Sequence, residues 1–375
     1  MLKVGITGQS GFIGTHLFNF LKLKNEKIIT LPFDDNYFIN KNQLKDFVKN
    51  CDVIVHLAAM NRHGDPQVIY DTNLKLVNQL IEALEMTGAR PHVLFSSSTQ
   101  EERDNLYGKS KRDGRKLLEQ WAQRNQSRFT GFVIPNVFGP FGNPFYNSVV
   151  ATFCYQLTHN ENSKIDIDAN LQLIYVNELV NLFYQKIIEP AEESYISMLK
   201  VKHTSENKVS EILQILENYK KLYFEENTIP ELNSIFELNL FNTFRSYLDH
   251  GSRYPVKLKK NVDQRGAFIE TIKTAIGGQF SFSTTVPGVT RGNHYHTRKI
   301  ERFIVIKGKA TIDLRRIGTK EVYHFELNGD QPSFVDMPVW YAHNITNVGN
   351  EELITLFWIN ELFNPDDPDT YFENV

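Results

Sequence analysis

Apolar residues along this chain fall into two rhythms. Up to about residue 190, short apolar runs at 4–7, 28–31, 53–57, 93–96 and 131–134 alternate with helical spacing at 17–23, 44–48, 74–84 and 114–121. Strand-helix-strand alternation of this kind predicts an α/β, Rossmann-like, doubly wound parallel sheet. Residues 147–190 read as mostly helical with strand pieces, and 209–219 (V-S-E-I-L-Q-I-L-E-N-Y) as an amphipathic helix; together they predict a small substrate lobe capping the sheet. Turn residues cluster in D-H-G-S-R-Y-P at 249–255, where the reading places a boundary between domains 1–250 and 255–375. From 257 onward, short strands rich in Phe, Ile, Val and Thr, punctuated by Gly and Pro, predict an all-β antiparallel barrel of the jelly-roll kind. The acidic, Pro-rich stretch 364–369 reads as a solvated turn or terminal arm.

At 375 residues the chain is too long for one ordinary core. Its 41% hydrophobic and 23% charged residues are typical of globular protein, and a net charge of -3 gives no reason to expect nucleic acid or an anionic membrane as partner. Cys51 and Cys154, each in or beside an apolar run, read as buried thiols in a reducing compartment. The opening M-L-K-V-G-I is a strand rather than a signal peptide, and no run approaches the ~18 apolar residues of a membrane span. These features predict a soluble, cytoplasmic protein.

Candidate chemistry sharpens this picture at two places. Gly8, Gly11 and Gly14 follow a strand and open a helix, so bare main chain can approach a pyrophosphate at the helix N-terminus. Tyr107 and Lys111, four apart on a helix, share one face. A lysine cation there can lower a phenol pKa, ordinarily ~10, and hold a nicotinamide ribose. Ser98, ending the S-S-S run, is placed to hydrogen-bond the carbonyl oxygen that Tyr107 would protonate.

Over roughly residues 1–245 these pieces, with His56-Leu57-Ala58-Ala59, Asn73 and P-N-V-F-G-P at 135–140, resemble the extended short-chain dehydrogenase/reductase family. The resemblance implies catalysis by Tyr107, Lys111 and Ser98, and a cofactor site formed by Gly8, Ser10, Gly11, Phe12, Ile13, Gly14, Asp34, Leu57, Ala58, Ala59, Asn73, Tyr107 and Lys111. It also implies that Asn136 helps hold a nucleotide-sugar. Val133 stands where the family often has Arg. Asp34 would accept the adenosine ribose hydroxyls of NADH, whereas a 2'-phosphate calls for Arg or Lys.

The second place is G-x5-H-x-H-x4-E-x6-G, from Gly288 to Gly308, which carries His294, His296 and Glu301; His343 follows in P-x-W-x2-H-x3-N. These resemble the two cupin motifs, with Trp340 where the second usually has Gly. Three imidazoles and a carboxylate suit Zn, Fe, Mn or Ni without choosing among them; zinc is the expectation carried forward. D-Q-R-G-A-F-I-E at 263–270 and G-V-T-R-G-N-H-Y at 288–295 resemble nucleotide-sugar 3,5-epimerases of the cupin class, which implies substrate contacts from Arg265, Glu270 and Arg291. Those enzymes use a histidine as base, and His294 cannot serve both as free base and as metal ligand through one nitrogen. Either the metal polarises the ketone, or it braces the barrel and another group takes the proton.

Read end to end, a reductase followed by a cupin resembles the bifunctional capsular-polysaccharide enzymes acting on UDP-2-acetamido-2,6-dideoxy-hexos-4-uloses. Y-N-S-V-V-A-T-F-C-Y at 146–155 and P-D-T-Y-F at 368–372 add to the match and imply substrate roles for Asn147 and Ser148. The resemblance implies C3 epimerisation in the cupin domain and then NADPH-dependent reduction at C4, giving UDP-2-acetamido-2,6-dideoxy-L-talose on the route to UDP-N-acetyl-L-fucosamine. It also implies a homodimer through the cupin domain. NADPH is carried forward, with NADH as the alternative that Asp34 favours. The competing reading is a C4 reductase whose cupin is only a metal-braced dimerisation module.

Overall fold

The computed structural model describes residues 1–190, 196–264 and 266–375, with backbone only at 266–268. Two compact units divide it: Met1–Val149 with Asp168–Val209, and Val150–Ile167 with Ser210–Val375.

The first unit is built on a six-stranded sheet. Its strands are β1 (Leu2–Thr7), β2 (Ile28–Leu31), β3 (Val53–His56), β4 (His92–Ser98), β5 (Phe129–Ile134) and the Ile196–Lys200 strand, in the order β2-β1-β3-β4-β5 with Ile196–Lys200 at the far edge. Every pairing in it is parallel. A parallel sheet covered on both faces needs apolar side chains on both, which is why V-I-V-H in β3 is buried at all four positions. One face packs Leu17 and Leu21 of α1 (Phe12–Lys22) and Phe183 and Ile187 of the Val176–Ile188 helix. The other packs Phe47 of α2 (Lys41–Asn50), Leu80 of α3 (Pro66–Thr87) and Trp121 of α4 (Leu106–Asn125). From β1 the chain passes to β2 on one side and then to β3 on the other. The strand order therefore reverses between β1 and β3, and a crevice at their C-terminal ends is where such sheets bind ligands.

The second unit carries two five-stranded antiparallel sheets. One runs Val256–Lys257, Ser333–Met337, Glu301–Lys307, Leu353–Ile359, Gln279–Thr285. The other runs Val322–Asn328, Lys309–Arg316, Tyr341–Asn347, Thr290–Tyr295, Tyr371–Phe372. Together they make the jelly-roll barrel that the strand-rich half of the sequence predicts.

The units do not divide at the sequence boundary near 250, because residues 210–253 group with the barrel. A buried polar cluster explains the grouping. Arg302 forks onto Asp336 at 2.7 and 2.9 Å, and the Tyr223 hydroxyl also donates to Asp336. Arg245 donates to the Met337 carbonyl at 3.0 Å, and Arg253 to the Tyr223 carbonyl at 2.9 Å. Helical residues thus supply partners that the barrel charges need. Among the described residues, no helix is long and apolar enough to cross a membrane.

Candidate active site and metal centre

The glycine turn joins β1 to α1. Gly8 has φ +68° and a Cβ there would lie 2.8 Å from the Ala58 backbone, while a Cβ on Gly14 would lie 2.1 Å from the Gly8 carbonyl oxygen. Only bare backbone allows the turn to close against the end of β3 and α1 to start this near it. Gly11 caps α1 without a side-chain bond, so the first-turn N–H groups of Phe12 and Ile13 are presented for an anion. The Ala58 N–H donates to the Thr7 hydroxyl at 3.3 Å, and that hydroxyl lies 2.7 Å from His56 Nδ1. Burial first, and the nearby Lys111 cation second, hold His56 down to about 3, so it is neutral.

Beyond Ala59, buried Asn73 braces the crevice. Its Oδ1 accepts from the Met60 N–H at 2.7 Å, and its Nδ2 donates to the Met60 carbonyl at 3.1 Å and to Ser110 Oγ at 2.9 Å. The Ser110 hydroxyl donates in turn to the Tyr107 carbonyl at 2.7 Å. One amide thereby ties the loop after β3 to the first turn of α4, which carries Tyr107 and Lys111. Ser98, at the end of β4, forms a side-chain hydrogen bond with Tyr107. Ser98, Tyr107 and Lys111, the three residues expected to do the chemistry, are thus brought together.

The electrostatics differ from the sequence expectation. Burial and then Tyr146 push the Tyr107 phenol up to about 12, with only the Ser98 bond opposing. Lys111 does not lower it: its ammonium donates to the Ser96 carbonyl at 3.0 Å and sits 5.9 Å from the centre of the Tyr107 ring. Burial in turn lowers Lys111 to about 8, against the pull of Glu101. Asp34, expected at the adenosine ribose, also has a local role. Its carboxylate accepts from the Asn36 N–H at 2.8 Å and caps the short Asp35–Phe38 helix, while Ser10 donates to the neighbouring Asp35 at 3.1 Å.

Sequence reasoning missed a clamp across this mouth. Arg62 donates to the Phe145 and Tyr146 carbonyls, and the Asn61 N–H donates to the Tyr146 hydroxyl at 3.2 Å. The loop beside the cofactor crevice is thereby fastened to the segment that carries Asn147 and Ser148. Asn147 is exposed and Ser148 half-buried, just before the Val149–Thr158 helix. Asn136 is exposed, its amide donating to the Gln172 carbonyl at 3.3 Å.

In the barrel, the ligand atoms of His294, His296, Glu301 and His343 all lie within 4.8 Å of one another. His294 pairs in register with His343 across adjacent strands after a bulge at Gly292, and His296 follows the strand end. Each buried imidazole is held through Nδ1, His296 by the Asp369 carbonyl and His343 by the Tyr341 carbonyl at 3.1 Å. Both Nε2 atoms therefore face inward, 3.0 and 3.2 Å from Glu301 Oε2. All three atoms are buried without a well-formed hydrogen bond. Burial works against ionisation of Glu301, but His296 and His343 outweigh it and hold the carboxyl well below its usual range. Three imidazole nitrogens and one carboxylate around a common point fit a divalent cation, and the Nδ1–carbonyl bonds of His296 and His343 leave Nε2 as the nitrogen that would coordinate it.

Two of the three epimerase-like residues have local partners. Arg291 donates to Thr285 Oγ1 and the Thr284 carbonyl, both at 3.0 Å, and exposed Glu270 pairs with Lys273 at 3.2 Å. Arg265 lies outside the described residues.

The stretch read as a solvated turn or terminal arm is so only in part. Asp366 and Asp367 are exposed, but Asp369 is 1% exposed and accepts hydrogen bonds from the turn after His296. The P-D-T-Y-F match was the only signal in the sequence that could have found it.

Comparison with known proteins agrees with this geometry. Residues 4–195 match the NAD dependent epimerase/dehydratase family, and residues 261–371 match the polysaccharide biosynthesis C-terminal domain. A UDP-2-acetamido-2,6-beta-L-arabino-hexul-4-ose reductase from Pseudomonas aeruginosa is 34% identical over 99% of this chain and 98% of its own. The crystal structure of the capsular polysaccharide assembling protein CapF from Staphylococcus aureus superposes with a TM-score of 0.62 at 34% identity, covering 100% of both chains. At 21% identity, RMD from P. aeruginosa, complexed with NADPH, shares the fold with a TM-score of 0.52 over 59% of this chain and 84% of its own.

Proposed function

Because this chain belongs to the NAD dependent epimerase/dehydratase family and carries a polysaccharide biosynthesis C-terminal domain, we propose that it is a bifunctional UDP-sugar enzyme of capsular polysaccharide synthesis. The barrel inverts C3 of a UDP-2-acetamido-2,6-dideoxy-hexos-4-ulose. The sheet unit then reduces C4, giving UDP-2-acetamido-2,6-dideoxy-L-talose, towards UDP-N-acetyl-L-fucosamine. The observation that carries this reading is the presence, in one chain, of an assembled Ser98-Tyr107-Lys111 set and a four-ligand cluster in the barrel.

The order follows from the chemistry. A ketone at C4 acidifies the C3–H, so inversion must come first; once C4 is an alcohol, C3 no longer exchanges. In the barrel, a cation held by His294, His296, Glu301 and His343 would supply Lewis acidity toward the ketone oxygen. Arg291 and Glu270 are the candidate contacts for the sugar nucleotide there.

At the crevice, the turn from Gly8 to Gly14 would hold the pyrophosphate of a nicotinamide cofactor, which when bound would supply the hydride. Tyr107 gives its phenolic proton to O4 as the alkoxide forms, and Ser98 hydrogen-bonds the same oxygen. Lys111, cationic below about pH 8, would hold the nicotinamide ribose. Asn136, Asn147 and Ser148 line the approach for the sugar nucleotide. NADPH is the proposed cofactor, zinc the proposed metal and a homodimer the proposed assembly.

Incubating the 4-keto sugar with the protein in D2O, without reduced cofactor, tests the first step. Deuterium should enter C3 with the native protein and not with Glu301→Gln or His343→Ala. Both variants should still oxidise NADPH when given the already inverted ketone. Native protein that reduces C4 without any deuterium uptake at C3 would make the barrel a bracing module.

A further inference from the structure

We infer that the segment Pro368–Glu373 is a strap that completes the barrel's metal centre, with Asp369 as the positioning residue that presents His296 and Glu301 to the cation. This rests on the metal reading of the four-ligand cluster above.

Three sets of contacts converge on that assignment. The Asp369 carbonyl accepts from His296 Nδ1, which leaves Nε2 as the coordinating nitrogen. Its carboxylate accepts from the Thr297 N–H at 3.1 Å, the Thr297 hydroxyl at 2.6 Å, and the Arg298 and Lys299 N–H groups at 3.0 Å each. Those donors occupy the turn between two ligands, His296 and Glu301, so one buried carboxylate sets the separation of both. Finally, Tyr371 and Phe372 pair in register with Tyr295 and His294, and the Glu373 N–H donates to the Asn293 carbonyl at 2.9 Å. The strap therefore touches the backbone or ring of both histidines of the first motif.

Asp is suited to this position twice over. Its φ of +41° lies in the left-handed region, which Asp and Asn tolerate better than most residues. A carboxylate, unlike an amide, also accepts on both oxygens at once. Asparagine can keep the Thr297 bonds on Oδ1, but its NH2 would face the Arg298 and Lys299 N–H donors. The turn would then relax away from its present shape while the fold remains.

The experiment compares native protein, Asp369→Asn, Asp369→Ala and the control Asp367→Asn, an exposed carboxylate paired with half-buried Arg298. Each is stripped with chelator and titrated with Zn2+ and with Co2+, recording metal affinity, the Co2+ absorption spectrum, and melting temperature with and without metal. A positioning role predicts a 10- to 100-fold weaker affinity in Asp369→Asn, an altered Co2+ spectrum and a smaller metal-induced rise in melting temperature. Asp367→Asn should match native protein. If Asp369→Ala does not fold, Asp369→Asn decides alone. Native affinity and spectrum in Asp369→Asn, or equal lowering of both melting temperatures, would overturn the strap. Native protein that gains no stability and no Co2+ spectrum would instead overturn the metal reading beneath it.

Discussion

The Trp340 N–H donates to the His296 carbonyl at 2.7 Å, while Trp340 itself holds φ +64°. A bulky side chain in the left-handed region costs about 1–3 kcal/mol, which is why the resembling motif usually has glycine there. Here the indole is 2% exposed and stacks on Tyr295 at 5.6 Å, and removing a buried aromatic of this size costs about 3–5 kcal/mol. Packing outweighs strain. Trp340→Gly should therefore lower stability by a net ~2 kcal/mol in urea unfolding. A stabilised glycine variant would show the indole to be dispensable.

Lys111 is expected to set the alkaline limit of C4 reduction. Burial lowers it to about 8, whereas Tyr107 stays protonated up to about 12. The kcat/KM of C4 reduction should fall as pH rises through about 8, and the responsible group is the lysine rather than the phenol. For stability the sign is the reverse. The unfolded lysine titrates near 10.5, so between about 8 and 10.5 the unfolded chain holds more protons, and this group's contribution rises with pH. A profile flat to pH 10 would contradict the assignment.

Acid should destabilise the chain through histidines buried in neutral form. Burial lowers His56 and His92 to about 3 and His250 to about 4, from 6.5. As pH falls below 6.5 the unfolded chain takes up protons that these sites refuse. Each site then removes up to about 1.4 kcal/mol of stability per pH unit until its folded value is reached. Urea midpoints of native protein and His92→Gln, measured from pH 7 to 5, should diverge, the variant losing less. Parallel curves would mean that His92 is not held neutral.

Asp34 is the residue expected to bear on cofactor choice. Asp34 caps its own turn through the Asn36 N–H. Asp34→Asn keeps a capping oxygen and removes the charge, so kcat/KM for NADPH should rise or stay level. A large fall for NADH with no change for NADPH would assign Asp34 to the ribose instead.

Much of this was legible because local rules and tertiary demands coincide. Strand β3 and the Val209–Tyr219 helix fall where apolar periodicity puts them, since each buries one continuous run or stripe. The two reactive clusters were also legible, because spacing on a helix or strand fixes which side chains share a face. What the sequence hid depends on partners far along the chain. Arg302 and Asp336 meet only once two strands pair, and Tyr223 joins them from a helical segment. Asp369 reads as one acid among several until the turn after His296 closes on it. Local periodicity carries no information about such contacts. The raised Tyr107 phenol was missed for a similar reason: residue spacing reports a neighbouring cation, whereas burial depends on the whole fold.

On the proposed function, one and the same ketone is made exchangeable at the barrel and reduced at the phenol. Tyr107→Phe, given the 4-keto sugar and NADPH in D2O, tests it most directly. C4 reduction should fall by about 10^2–10^4, the usual worth of a positioned acid, while deuterium continues to enter C3 at the native rate. Normal NADPH oxidation by the variant, or loss of C3 exchange together with reduction, would contradict the account.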